Sequence, residues 1–186
     1  MSTKVVTGKI RVSYPYLFEP QTPLGGGDPK YEITMLIPKS DADTVGKIRA
    51  AVQEARENFC KKNGATALPA APKHPLHDGD GLRESGEPYG PECRGCYVLK
   101  ARCKQKPVVV DAFGNPITEQ SEVYGGCYGR VSFNLYGYNT AGQKGIGAAL
   151  LAVQKLHDGE PFGTVGSASD FDDGFSDGGA GDDFLG

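Results

Sequence analysis

Eleven residues, Tyr128 to Tyr138, carry the most chemistry per residue in this chain. Tyr128, Arg130, Ser132, Asn134, Tyr136 and Tyr138 share one parity, while Gly129, Val131, Phe133, Leu135 and Gly137 take the other. That alternation is the signature of a strand with two unlike faces. One face is apolar enough for a core. The other offers flat rings, a guanidinium and small hydrogen-bonding groups. Tyrosines are also common in strands merely because they suit a half-buried pleated surface. Three on one face with an arginine among them point further, because rings and guanidinium planes stack on unpaired bases at roughly 1 to 3 kcal/mol per base.

Cations recur at the same period elsewhere. In Tyr97 to Lys104, the residues Val98, Lys100, Arg102 and Lys104 fall on the side opposite Tyr97, Leu99, Ala101 and Cys103. Val5 to Tyr14 places Val6, Gly8, Ile10, Val12 and Tyr14 on one side and Val5, Thr7, Lys9, Arg11 and Ser13 on the other. Lysines on an exposed strand also deter edge-to-edge pairing. Beside a tyrosine face they suit phosphate neutralisation, with counterions released on binding. Lys9, Arg11, Lys100, Arg102, Lys104, Tyr128, Arg130, Tyr136, Tyr138 and Lys144 are therefore the expected DNA-binding set, lining one groove.

Positioning these residues requires a mostly β body. The 186 residues suffice for one ordinary domain, and 27 glycines with no tryptophan favour a turn-rich β protein over a helical bundle. Lys30 to Ile37 reads as a second strand closed by Pro38, after a loop broken by Pro15, Pro20, Pro23 and Gly25 to Gly27. Ser40 is the expected N-cap of a helix in which Val45, Ile48, Val52, Ala55 and Phe59 recur at helical spacing, ending at Gly64. Residues 65–95 show no period. Val108 to Val110 reads as a short buried strand. Gly145 to Val153 is apolar on both faces; it is a buried strand or a helix, and the short turn at 139–142 favours a strand returning against Tyr124 to Tyr138. Five strands and one helix in this order can close into a small barrel.

The net charge of −3 conceals a split. Residues 165–186 hold six aspartates and no Lys or Arg, so the first 164 residues carry +3 and the rest −6. That tail, built of Gly, Ser, Asp and isolated Phe, cannot bury enough apolar surface to order itself, and disorder is expected. The expected division is a domain over 1–164 and a disordered acidic tail over 165–186. A flexible chain of that length reaches about 25 Å, enough to enter its own basic groove. No apolar run is long enough to span a bilayer and no signal-peptide pattern is present, so an intracellular, soluble protein is expected. The odd count of five cysteines suits reduced thiols.

Other chemistries leave weaker marks. His74 and His77 enclose two residues, as do Cys93 and Cys96, and the fifteen residues between the pairs would make a zinc knuckle. Asp78 and Asp80 would suit a Mg²⁺-dependent nuclease, although acids beside glycines commonly form turns. Gly137 to Lys144 misses a P-loop, with its lysine displaced by one and no Ser or Thr following. No nucleophile elbow or His-Glu-x-x-His occurs. The expectation is a binding protein, not an enzyme, with no cofactor or metal.

Five phrases align with a known family: Pro75-Leu76-His77-Asp78-Gly79-Asp80, Tyr124-Gly125-Gly126-Cys127-Tyr128, Asn134-Leu135-Tyr136-Gly137-Tyr138, Lys144-Gly145-Ile146-Gly147, and Val153-Gln154-Lys155-Leu156 leading to Asp158-Gly159-Glu160. Over most of residues 5–163 the chain resembles the bacteriophage single-stranded-DNA-binding proteins. The resemblance implies a five-stranded OB-fold-like barrel with one inserted α-helix and long loops. It also implies binding to single strands with little sequence preference, in phage replication, recombination or repair, in the cytoplasm of the infected bacterium. The acidic tail is similar to tails that recruit replication proteins, which would make Asp182, Asp183 and Phe184 partner-binding residues. Here the chain ends Phe184-Leu185-Gly186, whereas many such tails finish on Phe. Homo-oligomerisation is compatible with the sequence, and a phage structural or scaffold protein is the remaining alternative, one that would assemble without affinity for DNA.

Overall fold

Alternating segments form strands, and the strands close on themselves. The computed structural model describes residues 2–23, 25–140, 142–163 and 174–175. The elements are β1 (Lys4–Val6), β2 (Ile10–Gln21), β3 (Lys30–Pro38), α1 (Ala42–Asn63), β4 (Leu76–Asp78), β5 (Cys96–Cys103), β6 (Val108–Val110), β7 (Tyr128–Thr140) and β8 (Gln143–His157). β2, β3 and β5 form an antiparallel meander. β5 then pairs in parallel with β8, β8 pairs antiparallel with β7, and β7 returns to β2. The result is a closed ring of five strands, OB-fold-like, with one inserted helix, as expected. β1, β4 and β6 add short pairings to β7, β5 and β8.

The inside of the ring is filled by alternate residues of each strand, the parity switching in β8 at the register shift between Leu150 and Ala152. Ile10, Val12, Ile33, Met35, Ile37, Leu99, Ala101, Val131, Phe133, Leu135, Ile146, Leu150 and Val153 are buried there. Burying such side chains contributes about 1.5 to 3 kcal/mol each. The helix adds Ile48, Ala51 and Ala55 to the same core. Its N-cap is Asp41 rather than the expected Ser40: the Asp41 carboxylate accepts from the Thr44 amide at 3.1 Å and from the Thr44 hydroxyl at 2.6 Å.

Several expectations needed correction. Val5 to Tyr14 is two strands, and the break reverses the parity, so that Val5 and Thr7 are buried whereas Val6 is 39% exposed. Gly8 sits at the break. Its amide donates to the Thr44 hydroxyl at 2.9 Å, and a Cβ there would lie 2.8 Å from the Asp41 carboxylate. The expected loop at Pro15 to Gly27 begins later, because β2 continues to Gln21. Its register against β3 shifts between Ser13 and Tyr16 and again between Tyr16 and Gln21, which accommodates Pro15 and Pro20. Residues 65–95 contain β4, which the missing period concealed. Val98 points outward but is covered, packing with Leu36 and Cys93. In β6 only Val109 is buried; Val108 is 61% exposed. The acidic tail, including Asp182, Asp183 and Phe184, lies outside the described residues apart from 174–175.

Candidate nucleic-acid interface

The β7–β8 hairpin builds the floor of an open groove. In its register Tyr136 faces Gly147 and Tyr138 faces Gly145, on the outward side of the ring. A Cβ on Gly147 would lie 2.7 Å from the Tyr136 ring and hydroxyl, so that ring rests on bare backbone. A Cβ on Gly145 would fall 3.3 Å from the Tyr138 hydroxyl and 2.7 Å from the Lys73 carbonyl. Glycine at both positions keeps the floor low. The rings stand 6.5 Å apart at 55°, and Tyr136 is 46% exposed.

Two walls flank this floor. On one side the Ile146 amide donates to the Lys73 carbonyl at 2.7 Å, which fixes the segment carrying Lys73, His74 and His77 beside the hairpin. On the other, the parallel pairing of Arg102 with Ala149 brings β5 alongside, and with it Lys100, Arg102 and Lys104. The groove has a volume of about 740 Å³; Lys30 and Lys106 also line it, and among the described residues no Asp or Glu does.

Acids nevertheless stand close to these cations. Glu32 is ion-paired with Arg102 and lies 3.8 Å from the Lys100 ammonium. Lys104 pairs with Asp28 at 3.1 Å and Lys73 with Glu84 at 2.8 Å. The hydrogen bond to Glu84 raises the Lys73 pKa and lowers that of Glu84. The Lys104–Asp28 and Lys73–Glu84 pairs are exposed and screened by water, so they exchange readily for a phosphate. Burial pushes the His74 pKa down, with His77 and Arg49 adding to the shift.

Of the expected binding set, Lys100, Arg102, Lys104, Tyr136 and Tyr138 share this groove. The other five lie elsewhere. Arg11 lies 5.4 Å from the Tyr128 ring and 4.4 Å from Phe162, donating to the carbonyls of Gly126 at 3.1 Å and Glu160 at 2.6 Å. Lys9 stands 5.5 Å above the same tyrosine. Arg130 donates to the Thr7 carbonyl at 2.9 Å. Lys144 is exposed near the hairpin turn, paired with Asn139. One strand face thus carries two separate clusters rather than one groove.

Sequence reasoning missed Lys30, Lys73 and Lys106 as groove cations. The strand preferred for Gly145 to Val153 is present as part of β8, but it is not fully buried: Gly147 and Ala149 are half-buried and Leu151 is 40% exposed. The signal was present: small residues at 145, 147 and 149 alternate in register with the tyrosines across the turn.

The rival chemistries find no assembled site. His74 and His77 line the groove, whereas Cys93 is buried against Leu36 and Val98. Among the described residues no three His, Cys, Asp or Glu side chains gather to hold a metal. Asp78 and Asp80 are held by Lys39 at 2.6 and 2.8 Å, and accept from the amides of Asp80 and Gly95 respectively, which is a turn clamp.

A family model described as Enterobacter phage Enc34, ssDNA-binding protein, matches residues 3–185. A curated relative, putative protein p50 of Acyrthosiphon pisum secondary endosymbiont phage 1, is 34% identical over 178 residues, 91% of this chain and 93% of that one. Among solved structures, the single-stranded DNA-binding protein of bacteriophage Enc34 in complex with ssDNA has a TM-score of 0.75 and 32% identity, covering 87% of this chain and 90% of the other. The gp2.5 single-stranded DNA binding protein of bacteriophage T7 has a TM-score of 0.59 at 19% identity, covering 88% and 97%, and shares the fold alone.

Proposed function

This chain belongs to the phage Enc34 ssDNA-binding protein family, and from that premise we propose that it binds single-stranded DNA, with little regard to sequence, in the groove over the β7–β8 hairpin. The family and its structural relatives are ssDNA-binding proteins, not enzymes. One observation supports the assignment to this groove: the Tyr136 ring lies on bare glycine backbone with Tyr138 beside it, its hydroxyl over Gly145, and among the described residues the groove is lined by lysines and arginine and by no Asp or Glu. Stacking needs a ring face that a base can reach, and base faces are available only in unpaired strands. Tyr136 and Tyr138 take bases, while Lys100, Arg102 and Lys104 neutralise phosphates, with Lys144 flanking at the hairpin end.

The protein acts in replication, recombination or repair of phage DNA in the cytoplasm of the infected cell. No helix among the described residues is long and apolar enough to cross a membrane. The +3 and −6 split of charge supports a further role for residues 165–186, as a competitor for the groove and a docking segment for replication proteins through Asp182, Asp183 and Phe184. Deleting 165–186 is expected to tighten DNA binding at low salt; unchanged or weaker binding would refute the competition.

The main test is fluorescence anisotropy with oligo-dT, duplex and RNA oligonucleotides across a salt series. Tightest binding to single strands and a steep loss with salt are expected, since each phosphate neutralised on a single strand adds about 0.7 to the slope of log affinity against log salt. A flat salt dependence, or equal affinity for duplex, would overturn the assignment.

A further inference from the structure

Glu32 sits on β3 in register with Arg102 of β5, so the two side chains leave the ring on the same outward face. Its carboxylate contacts the Arg102 guanidinium and stands 3.8 Å from the Lys100 ammonium. The three side chains differ in depth: Glu32 is 17% exposed, whereas Arg102 and Lys100 are 48% and 49% exposed. The acid lies low between two cations whose heads reach solvent. Asp28 and Glu84, which pair with Lys104 and Lys73, are 73% and 71% exposed and far better screened by water.

Glu32 also marks a junction. A second depression of about 520 Å³, lined by Glu32, Tyr16, Gln21 and Pro23, shares Lys30, Lys100 and Arg102 with the tyrosine groove. A strand leaving the tyrosines across β5 therefore passes over Arg102 and Lys100 with a carboxylate beneath them.

We propose that Glu32 is a positioning residue and an internal stand-in for phosphate, holding Arg102 and Lys100 in place in the free protein and partly neutralising them when DNA is bound. The inference rests on the assignment of the groove to single-stranded DNA. The carboxylate keeps the two cations ordered and solvated against one anion. An arriving phosphate must share them with it, which caps the affinity at this station and lowers the number of counterions released. Because the ion pair is intramolecular, it reforms whenever the strand lifts, so bound DNA stays exchangeable.

The test compares wild type, Glu32→Gln and Glu32→Asp in anisotropy titrations with oligo-dT across a salt series. Gln keeps an acceptor for Arg102 but removes the charge. Glu32→Gln is expected to bind roughly three- to tenfold tighter at low salt, with a slope of log affinity against log salt steeper by about 0.7 to 1.4, for one or two additional cations. Glu32→Asp, which keeps the charge, should stay close to wild type in both. In an Arg102→Gln, Lys100→Gln background, Glu32→Gln should lose its effect. Unchanged or weaker binding by a Glu32→Gln protein that melts at the wild-type temperature overturns the proposal, as does a gain that persists without the two cations. Should Glu32→Gln melt early, Glu32→Ala is read by the same criteria. Tyr136→Ala separates the two levels: weaker binding there with no response at Glu32 leaves the groove standing and removes only this inference, while no binding by wild type removes both.

Discussion

The two ends of β7 carry the same ingredients to different ends. At one, Tyr128 lies beside Arg11 and Lys9; at the other, Tyr136 and Tyr138 lie in a groove with Arg102 and Lys100. Arg11 is engaged by its own chain: the carbonyls of Gly126 and Glu160 accept from it, and the Tyr128 and Phe162 rings lie 5.4 and 4.4 Å from its guanidinium. It fastens the segment after β8, where the Phe162 amide also donates to the Gly125 carbonyl at 3.1 Å. In the groove the Tyr136 ring rests on glycine backbone and is 46% exposed, and half-buried Tyr138 stands beside it. An aromatic–cation pair is therefore not a binding site by composition. It becomes a candidate where a ring face is open and the cations are held by side-chain carboxylates rather than by backbone carbonyls, as Lys100, Arg102 and Lys104 are by Glu32 and Asp28.

Substitutions at the two ends should separate affinity from stability. The largest effect is expected from Tyr136→Ala and Tyr138→Ala: each removes a stacking platform of roughly 1 to 3 kcal/mol, or about five- to a hundredfold in affinity for oligo-dT. Tyr128→Ala should leave that affinity within about twofold. A loss at Tyr128 equal to that at Tyr136 would erase the distinction. Next in size is Arg11→Ala, which should lower stability by roughly 0.5 to 2 kcal/mol, chiefly by removing the donor to the part-buried Gly126 carbonyl, since water can replace it at the exposed Glu160 carbonyl, seen as a fall of about 1 to 8 °C in melting temperature, with single-strand binding little changed.

The smallest effect concerns pH. Burial holds the His74 pKa below its ordinary value of 6.5, so in the free protein it charges at lower pH than an ordinary histidine. A phosphate in the groove favours the imidazolium, so the complex takes up a proton and affinity should rise as pH falls below about 6.5, by roughly two- to threefold. His74→Gln should flatten that rise. The unliganded fold responds in the opposite sense: a depressed histidine pKa means that the unfolded chain binds more protons, so His74 costs stability as pH falls through 6.5.

The strand pattern was legible because alternation is a local property. Val131, Phe133 and Leu135 are inside and Arg130, Tyr136 and Asn134 outside, as their spacing requires. The break at Gly8 was not legible, because its cause is the capping of a helix thirty-odd residues later. β4 was missed because three residues paired to β5 leave no period in the sequence. The groove was half legible. Five of its residues stood in the expected set, but Lys30, Lys73 and Lys106 are lysines in loops or at strand ends, and nothing about one lysine says which others it faces.

The sequence alone determined the type of surface this protein offers, rings alternating with cations on strands, together with the split between a basic body and an acidic tail, because residue type and parity are written along the chain. Only the closed ring decided which rings meet which cations. Closure places β8 between β7 and β5, so two glycines come opposite two tyrosines and Arg102 comes beside them, while at the far end of the same strand Arg11, beside Tyr128, is drawn to the carbonyls of Gly126 and Glu160. Proximity across strands is set by register and curvature, which no single segment contains.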